Sequence, residues 1–468
     1  MLTYSFENRE RLSLYEHLYT NIKKDIINGK LSPGEKLPSK RALAEHLNVS
    51  TITVENAYNQ LVAEGYIYAK PNSGFFVSPI TYAETITDVS EIHFLEQEPD
   101  LPGKTYFADF VSNATATQSF PLNTWAKLLR KIMSENQHKL LINAPSAGIW
   151  ELRREIAKYL LQFRGMNVSP EQIVIGAGTE YLYSIIIQLL GRQKIYGIEN
   201  PGYQKIEKIY RSNDVTCIHH PMDENGIDLK HLKNSDTQVL HISPSHHFPT
   251  GIVTPIGHRY ALLSWAGKSE DRYIIEDDYD SEFRLVGKPI PSLQSIDTQE
   301  KVIYINTFSK SLSSTIRISY MVLPKKLMQI YHRELNFYSC TVPNFEQYTL
   351  AAFLSEGYFD KHIHRMRNFY RSQRDLIMDC IKKHPKYSRI KIAEEHSGLH
   401  FLLHVDTELS DEALVQKAKE HDIHISCLSQ YYSPSQEQAS AHTLLINYSG
   451  IPAGKVPEAV ERLFDSLW

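Results

Sequence analysis

Lys310 has the most specific chemical setting in the chain. A β-branched and aromatic run, Val302 to Ile305, predicts a strand that leads into a loop rich in serine and threonine, which contains Lys310 and is followed by Arg317. An amine can react with an aldehyde, while hydroxyl and guanidinium groups bind phosphate, so this segment suits pyridoxal phosphate. The same residues also occur in ordinary polar surface turns, and the segment alone does not decide between the two.

A second chemical group follows another apolar run. After Tyr273 to Ile275 the sequence reads EDDYDSEF, Glu276 to Phe283. A carboxylate such as Asp277 beside a pyridine nitrogen keeps that nitrogen protonated, and a phenol such as Tyr279 can hydrogen-bond the oxygen of the same ring. An acidic cluster could instead bind a metal. However, no histidine lies within it and a metal leaves the tyrosine unexplained, so we predict no metal site.

Two more segments add contacts of the same kind. After Ile173 to Ile175 comes GAGTEYLYS, where small residues and the free N–H groups of a following helix, at Gly178, Thr179 and Glu180, suit a phosphate. Tyr203, in the segment ENPGY, could stack on an aromatic ring. A glycine turn before a helix is common, and Tyr203 could equally be a surface residue.

These segments follow strands of an alternating pattern that starts near Tyr106. Helical stretches, such as Leu152 to Phe163 and Tyr181 to Leu190, separate short apolar runs. This alternation predicts an α/β fold with a mostly parallel sheet, helices on both faces and ligands at the carboxyl ends of the strands. The predicted strands are Ile173 to Ile175, Lys194 to Ile198, Val239 to Ile242, Tyr273 to Ile275 and Val302 to Ile305. A smaller C-terminal α+β subdomain is predicted at about 360–468, with a last helix from Val456 to Trp468.

The first 80 residues show a different pattern, three helices followed by a hairpin. Apolar residues from Leu14 to Ile26 recur at helical spacing, and Ser39 and Ser50 suit the N-caps of two further helices. The predicted strands are Tyr66 to Tyr68 and Phe75 to Val77. This order predicts a winged helix-turn-helix, although a helical subdomain without a nucleic-acid role would share it. The residues predicted to contact DNA are Ser39, Lys40, Arg41, Ser50, Thr51, Thr53, Lys70 and Gly74.

Composition limits the function classes. With 468 residues, 42% hydrophobic and 22% charged, the chain is an ordinary globular protein of about three domain-sized units. A net charge of −4, and nine basic against eight acidic residues in 1–80, give no global attraction to nucleic acid. The four dispersed cysteines, the lack of an apolar signal core and the lack of a long apolar run predict a cytoplasmic protein without a membrane span.

Residues 81–105 are predicted to form an acidic linker.

Two resemblances cover most of the chain. The segment from Gly29 to Val77 resembles the DNA-binding domain of the GntR family of bacterial regulators over essentially its whole length. The sites GAGT, ENPGY, SPSHHFPTG, EDDYDSEF and TFSKSLSSTIRISY follow the order of fold-type I aminotransferases, from roughly Tyr106 to Trp468. Together they resemble the MocR/GabR subfamily. This resemblance implies domains at 1–80 and 106–468, pyridoxal phosphate as cofactor, operator DNA as partner and a homodimer whose DNA-binding heads are exchanged.

The resemblance also implies roles for single residues. Lys310 would form the Schiff base, Asp277 would pair with the pyridine nitrogen, Tyr279 would bond the ring hydroxyl, and Tyr203 would lie against the ring. The residues implied to hold the phosphate are Gly178, Thr179, Thr307, Ser309 and Arg317.

Three positions depart from these families. Thr51 stands where GntR proteins usually have an arginine, and Phe248 stands where aminotransferases have an asparagine before Pro-Thr-Gly. The stretch Leu444 to Pro452, where the aminotransferase fold usually carries a carboxylate-binding arginine, has Ser449 and Gly450 instead. Lys205 is a candidate substitute cation, or else solvated helix surface.

These features predict a transcription regulator that binds operator DNA and senses pyridoxal phosphate or an amine adduct of it. Without the arginine a simple amino acid loses its bidentate anchor, so we expect the effector to be pyridoxal phosphate itself, linked to vitamin B6 synthesis, or an unusual amine or peptide. The alternative is an active aminotransferase with an accessory DNA-binding head.

Overall fold

The computed structural model describes residues 2–6, 12–79, 106–112, 119–285, 287, 290–394, 398–433 and 441–468. The chain divides into two compact units, Met1–Leu101 and Pro102–Trp468. The predicted linker, 81–105, lies outside the described residues.

The first unit is a winged helix-turn-helix. Its helices are α1 (Leu14–Ile27), α2 (Lys40–His46) and α3 (Thr51–Ala63), and its strands are β1 (Ile67–Lys70) and β2 (Gly74–Val77). Ser13 and Glu16 form a capping box that starts α1. Buried side chains such as Leu18, Val54 and Leu61 form the core between the helices. The strands pair antiparallel and run a residue or two past the predicted bounds on the turn side.

The second unit alternates strands with helices, as the apolar pattern predicted. The strands of the large sheet and the short strand before it are β3 (Ala108–Asp109), β4 (Ile173–Gly176), β5 (Tyr196–Asn200), β6 (Cys217–Asp223), β7 (Gly226–Ile227), β8 (Val239–Ile242), β9 (Tyr273–Asp277), β10 (Val302–Thr307) and β11 (Ser319–Val322). The helices between and after them are α4 (Leu122–Glu135), α5 (Gln137–Leu140), α6 (Trp150–Arg164), α7 (Thr179–Leu190), α8 (Gln204–Ser212), α9 (Leu229–Lys233), α10 (Ile256–Gly267), α11 (Phe308–Ser311), α12 (Lys325–Ile330) and α13 (Asn344–Ser355).

The large sheet has the order β4-β11-β10-β9-β8-β5-β6-β7. Strand β11 pairs antiparallel with β10 and with β4. Strands β10, β9, β8, β5 and β6 run parallel to one another in that order, and β7 pairs antiparallel with β6. An antiparallel strand starts at the edge where its neighbours end. Arg317, two residues before β11, therefore lies at the same edge as the carboxyl ends of β4 and β10.

The C-terminal part forms the smaller α+β subdomain. Its elements are α14 (Tyr358–Lys383), β12 (Ile390–Ala393), β13 (His400–Val405), α15 (Asp411–Glu420), β14 (Ile423–His424), β15 (Ser426–Cys427), β16 (Thr443–Asn447) and α16 (Val456–Ser466). Strands β12, β13, β16 and β15 form an antiparallel sheet in that order. Strand β14 pairs with β3, which links the start of the unit to this subdomain. The fold prediction is confirmed. In the described part of the chain, no helix is long and apolar enough to cross a membrane.

Candidate cofactor and DNA-binding sites

Lys310 lies in the single-turn helix α11, directly after β10. The sequence predicted a loop here. The helical turn forms because the Thr307 hydroxyl oxygen accepts a hydrogen bond from the backbone N–H of Ser309 at 3.1 Å and so caps the turn. The Thr307 oxygen also accepts a bond from the Ser319 hydroxyl of β11 at 2.8 Å. Burial lowers the pKa of the Lys310 amine to about 8, and the negative charge of Asp280 acts in the opposite direction.

Asp277 ends β9 with one of its two carboxylate oxygens held in place. Its Oδ2 accepts a hydrogen bond from the Tyr183 hydroxyl at 2.5 Å and lies 3.5 Å from His241 Nε2. Its Oδ1 is buried and has no hydrogen-bond partner among the described residues. A buried acceptor without a partner is unfavourable. The pyridine N–H of pyridoxal phosphate is a donor that fits this oxygen.

Tyr183 and His241 support Asp277, and sequence reasoning missed both. Tyr183 lies one helical turn after Thr179 on α7, and His241 lies on β8. The Tyr210 hydroxyl, 2.6 Å from His241 Nδ1, orients the imidazole in turn. The only local signal for Tyr183 is its helical spacing from the glycine turn.

Tyr279 lies in a buried cluster beside the loop that follows β8. Its hydroxyl is 3.3 Å from His246 Nδ1, and the same nitrogen is 2.7 Å from Asp280 Oδ2. Burial raises the pKa of Tyr279 well above its ordinary value. The phenol therefore keeps its proton at neutral pH, as a donor to the ring oxygen of the cofactor requires.

The predicted phosphate-binding residues meet at the edge formed by β4, β11 and β10. Gly176 pairs with Ser319, which in turn pairs with Thr307. Gly178 precedes the first residue of α7, Thr179, with φ of +93°, and a Cβ at this position would clash with the Arg317 guanidinium. The backbone can approach a ligand closely only because this residue is glycine.

Two further observations fit a phosphate at this edge. The Ser309 hydroxyl is buried and has no hydrogen-bond partner among the described residues. Helix α7 begins without a cap from the side chain of its N-cap residue, Gly178, an arrangement that suits an anion at the helix N-terminus. Arg317 contacts Glu180 at 2.5 Å, so the structure brings both residues to the proposed phosphate position.

Tyr203 borders an aromatic cluster centred on Phe248. The Tyr203 ring is half exposed and meets Phe248 edge to face at 5.8 Å between centroids. Phe248 also contacts Tyr431 at 5.3 Å and His400 at 5.5 Å. A cavity of about 450 Å³ opens beside Tyr203 and is also lined by Glu199, whose pKa burial raises to about 8. Phe248, in the loop after β8, therefore packs between Tyr203 and the small subdomain.

The stretch where the fold family usually has an arginine contributes buried apolar and small polar side chains in this protein. Leu445 of β16 is buried against Leu402 and Leu428, in a cluster that includes Phe248. Ser449 is buried and donates its hydroxyl to Asn447 Oδ1 at 2.7 Å.

In the first unit, several of the residues predicted to contact DNA also form contacts within the unit. The Ser39 oxygen accepts from the N–H of Ala42, and the Ser50 oxygen accepts from the N–H of Thr53 and contacts its hydroxyl at 2.8 Å. Lys40 forms an ion pair with Glu55 at 2.6 Å.

Other positions in this unit face outward. Arg41 and Thr51 are exposed at the starts of α2 and α3, and Gly74 is exposed at the start of β2, directly after the turn of the wing. Lys70 lies over the Phe76 ring at 4.8 Å. Sequence reasoning missed Ile52, which is 68% exposed on the first turn of α3. An exposed apolar side chain there suits a thymine methyl group.

Known proteins resemble both units. Residues 14–77 match the family "Bacterial regulatory proteins, gntR family", and residues 109–463 match "Aminotransferase class I and II". The chain is 36% identical over 452 residues to the uncharacterized HTH-type transcriptional regulator YdeL of Bacillus subtilis, covering 97% of this chain and 96% of that one. It is 28% identical to the probable rhizopine catabolism regulatory protein MocR of Rhizobium meliloti, over 96% and 93% of the two chains. The chain belongs to the MocR/GabR subfamily of GntR regulators.

Other relatives agree with this membership. The pyridoxine biosynthesis transcriptional regulator PdxR of Corynebacterium glutamicum is 29% identical over 90% of each chain. The second unit has the fold of kynurenine aminotransferase from Pyrococcus horikoshii, with a TM-score of 0.67, 21% identity, and coverage of 78% of this chain and 91% of that one. The protein is a transcription regulator that binds operator DNA. Its second domain is of the class that uses pyridoxal 5′-phosphate, and Asp277, Ser309 and Gly178 fit that cofactor.

Proposed function

We propose that this regulator senses pyridoxal phosphate, or its adduct with an amine, and controls genes of vitamin B6 or amino-compound metabolism in the cytoplasm. The observation on which the proposal rests is a cofactor site that lacks two side chains by which aminotransferases bind their ligands, the amide at position 248 and an arginine near the C-terminus. Lys310 and Asp277 are the residues of the aminotransferase class, while Phe248 stands in place of an amide and packs in one apolar cluster with Leu445.

The missing arginine argues against an ordinary amino acid as effector. A simple α-carboxylate is held best by a bidentate guanidinium, and the stretch Leu444 to Pro452 contains no arginine. Phe248 offers no hydrogen bond where the aminotransferases have an amide. The name of the relative PdxR, a regulator of pyridoxine biosynthesis, agrees with the cofactor itself as the signal.

The proposed mechanism is a population shift between two conformations of the effector domain. The Lys310 amine is either engaged by the cofactor or released when an effector amine takes its place. Phe248 lies in the loop after β8 and contacts His400 and Tyr431 of the small subdomain, so a movement of this loop when the cofactor site changes reaches that subdomain. In a homodimer with exchanged heads, such a change alters the spacing of two winged helices on DNA.

The test is a titration of operator binding against pyridoxal phosphate alone. The DNA is the region between this gene and its neighbour, and affinity is measured by fluorescence anisotropy with the cofactor-free full-length protein. We expect a change in affinity that saturates with the cofactor. If affinity changes only after a particular amino compound is added, the cofactor is not the signal.

An active aminotransferase is the second candidate, and the pKa of Lys310 supports it. An amine with a pKa of about 8 is partly neutral at neutral pH and can serve as a general base. Steady turnover with several pairs of amino and keto acids would favour the enzyme, whereas its absence together with ligand-dependent DNA binding favours the regulator.

A further inference from the structure

The Glu180 carboxylate occupies the anion-binding edge of the cofactor domain. One of its oxygens contacts Arg317 Nη2 at 2.5 Å and the other contacts Lys205 Nζ at 2.5 Å. Glu180 is the second residue of α7, and a Cβ at Gly178 would lie 2.8 Å from its Oε2. The carboxylate is therefore folded back over the start of the helix, between the glycine turn and two cations.

The charge state of Glu180 fits this position. Partial burial alone would raise its pKa, but hydrogen bonds from Lys205 and Arg317 and from its own backbone hold the pKa below the ordinary value. The side chain is therefore an anion at neutral pH. It makes the contacts that a phosphate would make at the same place: a guanidinium, an ammonium and the N-terminus of an uncapped helix.

We propose that Glu180 is an internal competitor for the phosphate of the cofactor. In the cofactor-free chain its carboxylate neutralises Arg317 and Lys205, and it must leave Arg317 before a phosphate can bind there. Glu180 thereby sets the affinity for phosphorylated pyridoxal without contacting the aldehyde end of the site. This inference rests on the assignment of pyridoxal phosphate as the cofactor, and the experiment below separates the two.

The extent to which Glu180 weakens the binding of pyridoxal phosphate can be judged from the solvent exposure of its two ion pairs. The side chains of Arg317 and Lys205 are each 50% exposed and that of Glu180 is 32% exposed. Ion pairs with this exposure are individually weak. Replacing the carboxylate by an amide removes both pairs from the cofactor-free state only, and also removes repulsion of the phosphate. We expect Glu180→Gln to bind pyridoxal phosphate about tenfold more tightly.

The experiment compares pyridoxal phosphate with pyridoxal, which has the same aldehyde and ring but no phosphate. Dissociation constants are measured by visible absorbance on the cofactor-free full-length protein, for wild type, Glu180→Gln and Glu180→Ala. The matched control is Glu151→Gln. Glu151 is also the second residue of a helix, α6, and pairs with Lys139 at 3.0 Å, but it is not among the cofactor residues.

The inference requires that both Glu180 variants bind pyridoxal phosphate more tightly, that their affinity for pyridoxal is unchanged, and that Glu151→Gln matches wild type. Inorganic phosphate should also compete with pyridoxal phosphate more strongly in Glu180→Gln than in wild type. Unchanged or weaker binding of pyridoxal phosphate by both variants overturns the inference, as does an equal gain for both ligands. Failure of the wild type to bind pyridoxal phosphate at all overturns the cofactor assignment itself.

Discussion

Lys310 should react with pyridoxal phosphate with a pH profile that a solvated lysine cannot give. Burial lowers its pKa from the ordinary 10.5 to about 8, while Asp280 opposes this shift. Only the neutral amine attacks an aldehyde, so the rate of covalent attachment follows the neutral fraction. That fraction rises with pH up to the pKa and is constant above it.

The expected difference in reaction rate follows from the difference of about 2.5 between the pKa of an ordinary lysine, 10.5, and that of Lys310, about 8. At pH 7 an amine with a pKa of 8 is neutral in about one molecule in ten, whereas a pKa of 10.5 leaves about one in 3,000. Lys310 should therefore react about 300-fold faster at pH 7 than an otherwise equal solvated lysine.

Stopped-flow absorbance on cofactor-free protein, from about pH 6 to about pH 10, measures this profile. The same measurement with Nα-acetyl-lysine in place of the protein shows how ionisation of pyridoxal phosphate itself affects the rate. We expect the rate to rise about tenfold per pH unit and to level off near pH 8. Asp280→Asn, which removes the opposing charge, should move the plateau to lower pH, whereas Asp271→Asn, on the surface, should leave it in place.

A rate that keeps rising tenfold per unit beyond about pH 9.5 would refute the reasoning, because the Lys310 amine would then titrate as a solvated lysine. A plateau that does not move in Asp280→Asn would refute the electrostatic role given to Asp280.

Three further predictions concern the two sites. Asp277→Asn should weaken the binding of pyridoxal phosphate about 10- to 100-fold, because a charge-assisted hydrogen bond to the pyridine nitrogen is lost. Equilibrium absorbance titration measures the dissociation constant, and an unchanged value would contradict the role given to Asp277 Oδ1. Arg41→Ala should lower operator affinity and reduce the slope of log affinity against log salt by about one, while Lys325→Ala, in the other unit, should do neither. Ser50→Ala should destabilise α3 by about 1 kcal/mol through loss of its N-cap, seen as about fivefold faster amide exchange there; exchange equal to that of a Ser32→Ala control would exclude a capping role.

The sequence predicted those parts of the site that follow from strand order. Lys310, Asp277 and Gly178 each come shortly after an apolar run, and parallel strands bring their carboxyl ends to one edge of a sheet. The helical spacing of Leu18 and Ile22 and the N-cap at Ser50 likewise predicted two helices of the winged helix from local sequence. Local patterns were sufficient because the signal for each element lies within a few residues.

Other features depend on contacts between distant segments and have no local signal. The bond from Tyr183 to Asp277, the approach of His246 to Asp280, and the ion pairs of Glu180 each join different elements. The short helix around Lys310 was predicted as a loop because its cap, the Thr307 oxygen, precedes a run of only four residues. Periodicity does not detect a single turn.

The antiparallel strand β11 has a consequence for synthesis of the chain. It pairs Ser319 with Gly176, and the proposed phosphate position needs both β4 and the segment around Arg317. Contacts between such distant residues form only after both segments have left the ribosome, and domains generally fold from the N-terminus onward. Among the described residues, the core and the strand pairing of the winged helix join positions 2 to 77. A nascent chain therefore has what it needs to form its DNA-binding unit long before the residues that hold the cofactor can meet.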